Sequence, residues 1–281
     1  MERQAARLGL IAGNGVFPVL VARGAREAGV EVVCCAHVGE SDPAIETEVA
    51  SCTWVRVGEL GRIIRTFKEA GCSSAVMAGG ITKVRLFSGF RPDLRGAAFL
   101  ARMRTLHDDK LLVGIADELT SEGIPVVAST LYLPRLVPGP GVLGRRSPKA
   151  KEREDVRFGM RVAKAIGAFE IGQTVVVKDG LVLAVEAVEG TDAAIRRGAE
   201  LARRGAVVVK VAKPGQDLRF DVPAVGPATI RLMAETHATV LALEAGRTLL
   251  LERENTIALA DMAGIAVVAV EAEPDASGVL A

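Results

Sequence analysis

The sequence predicts an α/β protein with an N-terminal Rossmann-like, doubly wound parallel sheet and a C-terminal mixed α/β (or α+β) domain. Three observations support this prediction. Short apolar runs alternate with helical patterns from residue 8 to residue 129. A segment rich in proline and glycine, 134–147, then interrupts the alternation. Apolar runs resume after it, some at hairpin spacing and others separated by a helix. Alternating strands and helices build a layered sheet, and parallel strands buried in it read as continuous apolar runs.

The first predicted sheet is assembled from five short apolar runs. Its strands are expected at 8–12, 30–36, 53–57, 74–78 and 125–129. Helical patterns fill the intervals: one ends near Gly29, one opens at Gly58, and two cover about 93–104 and 108–122. The helix that opens at Gly58 shows the clearest helical spacing, with apolar Leu60, Ile63, Ile64 and Phe67 on one face.

The proline-rich segment marks the expected boundary between two domains, for which 281 residues are sufficient. We divide the chain into a Rossmann-like domain at 1–134, a linker at 135–147 and a C-terminal catalytic domain at 148–281. Ser147-Pro148 predicts a helix start, since serine caps helices and proline suits their first turn. Strands are then expected at 174–178, 181–188, 206–212, 239–243, 248–251 and 265–270, and helices at 192–204, from Gly226-Pro227 and at 254–263.

Composition disfavours nucleic acid as a partner. The chain carries 35 basic and 34 acidic residues, and only 4% of it is aromatic. It therefore offers neither a polyelectrolyte surface nor a platform for stacked bases. The four cysteines lie in the first quarter without CxxC spacing, so we expect reduced core residues of a cytoplasmic protein.

Membrane-spanning segments and signal peptides are not expected. The charged N-terminus leads directly into a strand, and the most apolar long window, 123–144, is interrupted by four prolines and an arginine. The basic run 145–153 is either a solvated helix start or a face for an anionic lipid surface, and both interpretations stay open.

The segment from Lys213 to Pro223 carries the densest polar chemistry of the chain. It follows an apolar run, 206–212, that reads as a buried strand. Asp217, Arg219 and Asp221 share strand spacing, so an extended segment would present all three on one face. Two carboxylates and a cation at a strand end suit a metal and phosphate site, whereas a solvated charged turn is the alternative.

Glu189-Gly-Thr-Asp192 is a second candidate, because a strand ends and a helix begins there. Thr191 or Asp192 is expected as the helix cap, and the exposed helix start suits a phosphate. Glu186, inside the strand, faces either outward or into the site. Gln173 begins the preceding strand, where its amide lies near a cleft wall or is an ordinary polar residue without a function.

Gly13-Asn-Gly15 occupies a strand-to-helix turn where backbone N–H groups could hold phosphate, or forms only a tight turn. The dinucleotide fingerprint fails, because Pro18 stands at its third glycine position. His37 and His237 are isolated, so a zinc site or a histidine-based triad is not expected. Asp108 and Asp109, which follow His107, stabilise a helix start or act as metal ligands.

Several of these segments together resemble one family. They are Leu-Gly-Leu-Ile-Ala-Gly-Asn-Gly-Val-Phe-Pro18, Val-Met-Ala-Gly-Gly-Ile-Thr82, His-Asp-Asp-Lys-Leu-Leu112, Ile-Gly-Gln-Thr-Val-Val-Val-Lys178, Val-Glu-Ala-Val-Glu-Gly-Thr-Asp-Ala193 and the segment from Lys213 to Pro223. The resemblance is to the UDP-2,3-diacylglucosamine pyrophosphatases of the LpxI type, from bacterial lipid A synthesis. It extends from Leu8 to about Val270.

The resemblance implies a Mg²⁺-dependent hydrolase, or one that uses another divalent cation such as Mn²⁺. Its substrate would be an acylated UDP-glucosamine, cleaved at the pyrophosphate to UMP and lipid X, which is 2,3-diacylglucosamine 1-phosphate. It also implies a cytoplasmic protein that makes transient, peripheral contact with the cytoplasmic face of the inner membrane. A homodimer is one assembly state left open.

The resemblance and the residue chemistry together suggest roles for individual side chains. We expect catalysis from Asp221, Asp217, Lys213 and Arg219, with Asp221 central. We expect metal ligation from Asp221, Asp217 and Glu189. We expect substrate contacts from Gly13, Asn14, Gly15, Gly79, Gly80, Gln173, Thr191, Asp192 and Gln216. Two rivals stay open: a hydrolase of another nucleotide sugar, and a non-catalytic regulator that binds a sugar nucleotide or a lipid.

Overall fold

The structure is a computed structural model that describes residues 6–82, 91–103 and 108–272. The chain forms two compact units. The first contains the chain up to Leu133 together with Leu218–Phe220, and the second contains Pro134–Asp217 and the chain from Asp221 onward. The domain boundaries expected from the sequence stay a prediction.

The first unit is a four-stranded parallel sheet with helices, which confirms the α/β prediction for this half. The strand order is β3-β2-β1-β4. The strands are β1 (Arg7–Ala12), β2 (Glu31–His37), β3 (Ser51–Val55) and β4 (Ser74–Ala78), and the helices are α1 (Phe17–Glu27), α2 (Leu60–Glu69), α3 (Leu94–Arg102) and α4 (Asp108–Ser121). Short 3-10 helices occupy Pro43–Thr47 and Ser129–Tyr132 in this unit, and a third, Pro134–Leu136, begins the second unit.

The core of the first unit forms where α2 packs on the sheet. The apolar face expected for α2 is buried, and Phe67, the last of its four apolar residues, is 0% exposed. Phe67 lies directly against Gly9 of β1, where an added Cβ would come within 2.8 Å of the ring. The three cysteines Cys34, Cys35 and Cys72 are buried and Cys52 is partly exposed, and all four are free thiols. Glycine at position 9 therefore sets how closely the helix approaches the strand.

The second unit is built on a six-stranded mixed sheet of order β5-β12-β10-β8-β6-β7. Strands β8, β10 and β12 are parallel, whereas β6 runs antiparallel between β8 and β7. The sheet strands are β5 (Gly141–Val142), β6 (Thr174–Lys178), β7 (Leu181–Val185), β8 (Val207–Lys210), β10 (Val240–Glu244) and β12 (Ala266–Val270). A separate parallel pair consists of β9 (Ala224–Val225) and β11 (Leu249–Leu250).

Helices cover both faces of the second sheet, so its strands are apolar on both sides. The helices are α5 (Ala150–Ala168), α6 (Thr191–Ala202), α7 (Pro227–Glu235) and α8 (Arg253–Met262). Val156, Met160 and Ala163 of α5 pack on one face of the sheet. The opposite face is covered by α6, α7 and α8, with Ile195 and Ile230 fully buried. In the part of the chain that the structure describes, no helix combines the length and apolarity needed to span a bilayer.

Several expected element boundaries differ from the structure. Helix α5 begins at Ala150 rather than at Ser147-Pro148, because the Glu152 carboxylate accepts a hydrogen bond from the Lys149 backbone N–H and makes Lys149 the cap. The expected strand at 125–129 reduces to one bridge between Val126 and Ala75. Pro125 lacks the N–H that a longer ladder would need there. Part of the expected linker, 135–147, forms strand β5.

The contact between Gly9 and Phe67 yields a stability prediction. Gly9→Ala should lower the unfolding free energy of the first unit by about 1–3 kcal/mol, because the new methyl group overpacks a buried ring. Adding Phe67→Leu should make the double variant less destabilised than the sum of the two single changes. Urea unfolding followed by the fluorescence of Trp54, the single tryptophan, measures this unit. Strict additivity would contradict the packing argument.

Candidate active site

In the first unit, the loops after β1 and β4 are locked together by backbone contacts. Gly13 N–H donates to the Ala78 carbonyl and Asn14 N–H donates to the Gly80 carbonyl, both at 2.8 Å. A Cβ at Gly13 would lie 2.3 Å from the Gly80 oxygen, and one at Gly79 would lie 2.4 Å from the Asn14 oxygen. Only glycine allows this approach, because both close neighbours are backbone atoms.

These loops lie at the point where the strand order of the first sheet reverses, between β1 and β4. Open α/β sheets bind ligands at the carboxyl ends of the strands beside such a switch point. The structure therefore brings Gly13, Asn14, Gly79 and Gly80 together where a ligand is expected. Gly15 follows with φ of 81° and open space around its α-carbon. Their substrate contacts stay a prediction.

The side chain of Asn14 bridges this loop pair. Its Oδ1 accepts from Gly80 N–H at 3.2 Å, and its Nδ2 donates to the Glu40 carboxylate at 3.2 Å. Glu40 also accepts from the backbone and the hydroxyl of Thr82. The Asn14 amide thus holds the Gly79-Gly80 loop in place, and the sequence alone did not indicate its partner Glu40.

In the second unit, the polar residues gather at the carboxyl end of β7, where α6 begins. The helix cap is Gly190, with φ of 85°, rather than Thr191 or Asp192 as expected. The Thr191 hydroxyl is otherwise engaged, since it donates to Glu186 at 2.8 Å and accepts from Lys210 Nζ at 3.0 Å. No side chain of the described residues caps this helix, so its first N–H groups suit an anion.

Lys210 is the buried cation of this site. Its residue is 7% exposed, and it lies opposite Thr174 in the β6–β8 ladder. The Glu186 N–H in turn bonds the Thr174 carbonyl, which aligns Lys210, Thr174 and Glu186 across three adjacent strands. Directly opposed residues share a face of the sheet, so the ammonium and the Glu186 carboxylate face the start of α6.

The charge of Lys210 is held at a cost. Burial lowers the pKa of Lys210, and attraction to the Glu186, Asp192 and Asp221 carboxylates offsets part of that shift. Buried lysines whose pKa is shifted by desolvation and by nearby carboxylates are frequent at functional sites. The arrangement can bind a phosphate, since it pairs a desolvated cation with an uncapped helix start.

Lys210 and Glu186 are the functional candidates that our sequence interpretation missed or left undecided. Glu186 is buried, at 8% exposure, and so faces the site rather than solvent. The signal for Lys210 was available: a single charged residue stands inside the apolar run 206–212. Lysine is almost never fully buried unless it is paired, so such a residue predicts partners on neighbouring strands.

The loop that follows β8 folds into turns instead of the extended segment that we considered. The Asp221 N–H bonds the Asp217 carbonyl at 3.2 Å, which closes a turn around the residues between them. The contacts of Arg219 group it with the first unit, whereas Asp217 and Asp221 belong to the second. The expected common face of the three charges is therefore wrong, because the backbone doubles back on itself.

Gln216 connects the two ends of this turn. Its Oε1 accepts from the Lys213 N–H at 2.9 Å, and its Nε2 donates to the Asp221 carboxylate. Lys213 Nζ forms an ion pair with Glu170, at the end of α5. The Arg219 guanidinium lies 4.8 Å from the centroid of the Phe220 ring. Gln216 thus orients Asp221, while Lys213 and Arg219 both have partners within their own units.

Glu189 forms an ion pair with the side chain of Arg197. Its own backbone N–H and the Arg197 guanidinium, 2.9 Å away, lower the pKa of Glu189. Among the residues that the structure describes, no three carboxylate, imidazole or thiol groups cluster as metal ligands. A cation at this site would therefore rely on few protein ligands, as Mg²⁺ commonly does.

Gln173, Asp108 and Asp109 are three further site candidates from the sequence. The Oε1 of Gln173 is buried and accepts no hydrogen bond from the described part of the protein, so it could receive a donor. His107 and the side chains of Asp108 and Asp109 lie outside the described residues. The role of Asp108 and Asp109 as metal ligands stays a prediction.

Comparison with known proteins agrees with the resemblance seen in the sequence. Residues 7–136 match the family model of the LpxI N-terminal domain, and residues 139–268 match that of the LpxI C-terminal domain. The chain is similar to the UDP-2,3-diacylglucosamine pyrophosphatase LpxI of Caulobacter vibrioides. The two sequences are 37% identical over 281 residues, which cover 94% of this chain and 98% of that protein.

The burial of Lys210 yields a prediction with opposite effects on stability and activity. Since the folded pKa lies below the unfolded value, a charged Lys210 costs folding free energy at neutral pH, and that cost fades as pH rises toward about 10.4. Lys210→Met should therefore unfold no more easily than wild type near pH 7, and its relative stability should decline at higher pH.

Activity of the same variant should fall at least about 10²-fold, since it loses a strong electrostatic stabiliser. Urea unfolding at several pH values and release of UMP, the nucleotide product that the resemblance implies, measure the two effects. Lys178→Met is the matched control, because Lys178 bonds the Ala202 carbonyl at the other end of β6. Reduced stability with unchanged turnover in Lys210→Met would show that the lysine is only structural.

Proposed function

The chain belongs to the LpxI family, and from that premise we propose that it hydrolyses the pyrophosphate bond of UDP-2,3-diacylglucosamine in lipid A biosynthesis. Water is added across one P–O bond of the diphosphate bridge. The products are UMP and 2,3-diacylglucosamine 1-phosphate, known as lipid X. The enzyme is accordingly a hydrolase that acts on an acid anhydride.

The observation that carries this proposal is the match to both LpxI domain models, together with a pyrophosphatase relative aligned over 94% of the chain. A match confined to one half would support only a shared fold. The geometry of the second unit supports the same chemistry, because pyrophosphate cleavage depends on positioning and on compensation of negative charge.

We assign phosphate binding to the start of α6 and to Lys210. The N–H groups at Thr191 and Asp192 begin a helix without a side-chain cap among the described residues, and helix starts favour anions. The Thr191 hydroxyl proton is directed to Glu186, so towards substrate this residue offers its backbone. Lys210 would offset the charge that develops on the leaving phosphate.

We assign the central catalytic role to Asp221. Its carboxylate is oriented by Gln216 and lies close enough to Lys210 to influence its pKa. A carboxylate held in this way can orient a water molecule and accept its proton as the P–O bond forms. Asp217 is the second choice, with Lys213 and Arg219 as further cations near the reaction.

We propose that the reaction uses Mg²⁺ or a similar divalent cation such as Mn²⁺. Asp221 and Asp217 would hold it with phosphate oxygens of the substrate, and Glu189 is a weaker candidate because Arg197 engages it. The cation would neutralise the diphosphate. The protein's own residues would orient the water molecule and bind the two phosphates.

The remaining assignments concern the rest of the substrate. We propose that Gln173 bonds the glucosamine or the uridine, and that the Gly13-Asn14-Gly15 and Gly79-Gly80 turns contribute backbone contacts. Because the substrate carries two acyl chains, we also propose a transient contact with the inner-membrane surface on its cytoplasmic side. A homodimer remains compatible with this proposal.

Substitution of Asp221 tests the assignment directly. Asp221→Ala should lower kcat for UDP-2,3-diacylglucosamine by at least about 10²-fold, as expected for the loss of one strong electrostatic or water-positioning group. Asp217→Ala serves as the matched comparison and should lose less activity. Circular dichroism and urea unfolding must show that both variants fold.

Two outcomes would change the conclusion. Near-normal turnover by folded Asp221→Ala would remove this residue from the mechanism. Equal hydrolysis of a non-acylated UDP-sugar by the wild-type protein would redirect the assignment to a different nucleotide sugar.

Metal removal is a separate prediction. Hydrolysis should stop when EDTA is added and return with excess Mg²⁺ or Mn²⁺, because the diphosphate and the two aspartates are all negatively charged and a divalent cation would offset their repulsion. Asp217→Ala should need more Mg²⁺ for half-maximal activity than wild type. Full activity of chelator-treated protein would refute the requirement for a divalent cation.

A further inference from the structure

Side chains bind both backbone polar groups of Ala212, at the point where β8 ends. The Ala212 N–H donates to Glu244 Oε2 at 2.8 Å, and the Ala212 carbonyl accepts from Lys164 Nζ at 2.8 Å. Ala212 is 0% exposed, so groups left without partners here would carry a full desolvation cost. Ala212 lies beyond the last residue of β8, and two charged side chains, instead of a neighbouring strand, form the hydrogen bonds of its backbone.

Lys164 and Glu244 are also a close ion pair. Lys164 Nζ lies 2.7 Å from each Glu244 carboxylate oxygen, and the two side chains are 20% and 3% exposed. Arg247 Nε approaches the same carboxylate at 3.4 Å. A buried pair of this kind is weak as a source of stability, because desolvation consumes most of the attraction. Its contribution must therefore be sought in the geometry that it imposes.

The backbone held by this pair leads directly into the Asp221 loop. Lys213 follows Ala212, and its N–H bonds Gln216 Oε1 at 2.9 Å. The Gln216 amide then bonds the Asp221 carboxylate. Glu244 and Lys164 thus hold the backbone of Ala212, the next peptide N–H, that of Lys213, binds Gln216, and Gln216 binds Asp221. Its origin lies on two rigid elements, because Lys164 belongs to α5 and Glu244 ends β10.

We propose that Lys164 and Glu244 are positioning residues, which fix the backbone at Ala212 and thereby hold Asp221 in its productive place. The inference rests on the proposed function wherever activity is the readout. A displacement of about 1 Å in a group that positions reacting atoms can cost about 10²-fold in rate. The pair would therefore influence turnover without contacting substrate.

Replacement of both charges separates positioning from stability. Lys164→Met with Glu244→Met keeps similar volume and removes the ion pair. Loss of the pair itself should cost little folding stability, whereas the two unpaired backbone groups of Ala212 should lower it, so kcat is measured per folded molecule. The two hydrogen bonds to Ala212 are lost, and kcat should fall about 10- to 100-fold with little change in KM. Glu244→Gln keeps an acceptor for the Ala212 N–H and should retain more of the activity.

A second ion pair in the same unit is the matched control. Arg146 and Glu152 are comparably enclosed, at 24% and 14% side-chain exposure, and both contact Thr239 just before β10. That position is the opposite end of the strand that Glu244 terminates. Arg146→Met with Glu152→Met should leave kcat per folded molecule unchanged, whatever it does to stability.

Hydrogen exchange provides a readout that does not depend on the reaction. In the Lys164→Met/Glu244→Met variant, amides of 212–217 should exchange at least about tenfold faster, whereas the control variant should match wild type there. Unchanged exchange in 212–217 would overturn the proposal, and so would faster exchange with wild-type kcat. If the double variant does not fold, Glu244→Gln and Lys164→Met carry the same two measurements. Wild-type protein that fails to hydrolyse UDP-2,3-diacylglucosamine would refute the proposed function, while exchange would still test the positioning role.

Discussion

A lysine ammonium inside a β-sheet must be compensated, and the second unit of this protein is organised around that requirement. Lys210 is buried in β8, where burial lowers its pKa. The Thr191 hydroxyl and the Glu186 carboxylate complete its hydrogen-bond chain. Because Thr191 serves Lys210, it does not cap α6, and Gly190 takes that position. One buried charge thereby leaves a helix start open to an anion.

The direction of the strands decides which polar contacts can serve chemistry. At the carboxyl ends of β8 and β10, the Lys164–Glu244 pair holds the backbone that leads to the Asp221 loop. At the other end of β10, the Arg146–Glu152 pair anchors the segment before the strand and the start of α5. Parallel strands gather their carboxyl ends, and the loops that follow them, at one edge of the sheet. Two ion pairs of similar burial therefore differ in their expected effect on the candidate site.

Much of the fold could be predicted from the sequence, because buried parallel strands and amphipathic helices have local signatures. The junctions at Gly13-Asn-Gly15 and Glu189-Gly-Thr-Asp192 were located in this way, since each is a strand-to-helix turn. Local signals failed where a contact from elsewhere intervened. Glu152 moved the start of α5 past Ser147-Pro148, and the Asp217–Asp221 turn replaced an extended segment. Propensity specifies an element, whereas its exact end depends on the groups that receive its unpaired N–H bonds.

The sequence by itself determined the α/β class, the strand-to-helix junctions and the family, because each depends on residues that are neighbours along the chain. Only the tertiary structure decided which polar groups meet. Lys210 and Glu186 are joined through the register of three strands, and Lys164 reaches Glu244 across 80 positions. Strand order and register are non-local properties, so a single sequence carries no direct signal for them. The candidate site is therefore a product of topology applied to residues that the chain keeps far apart.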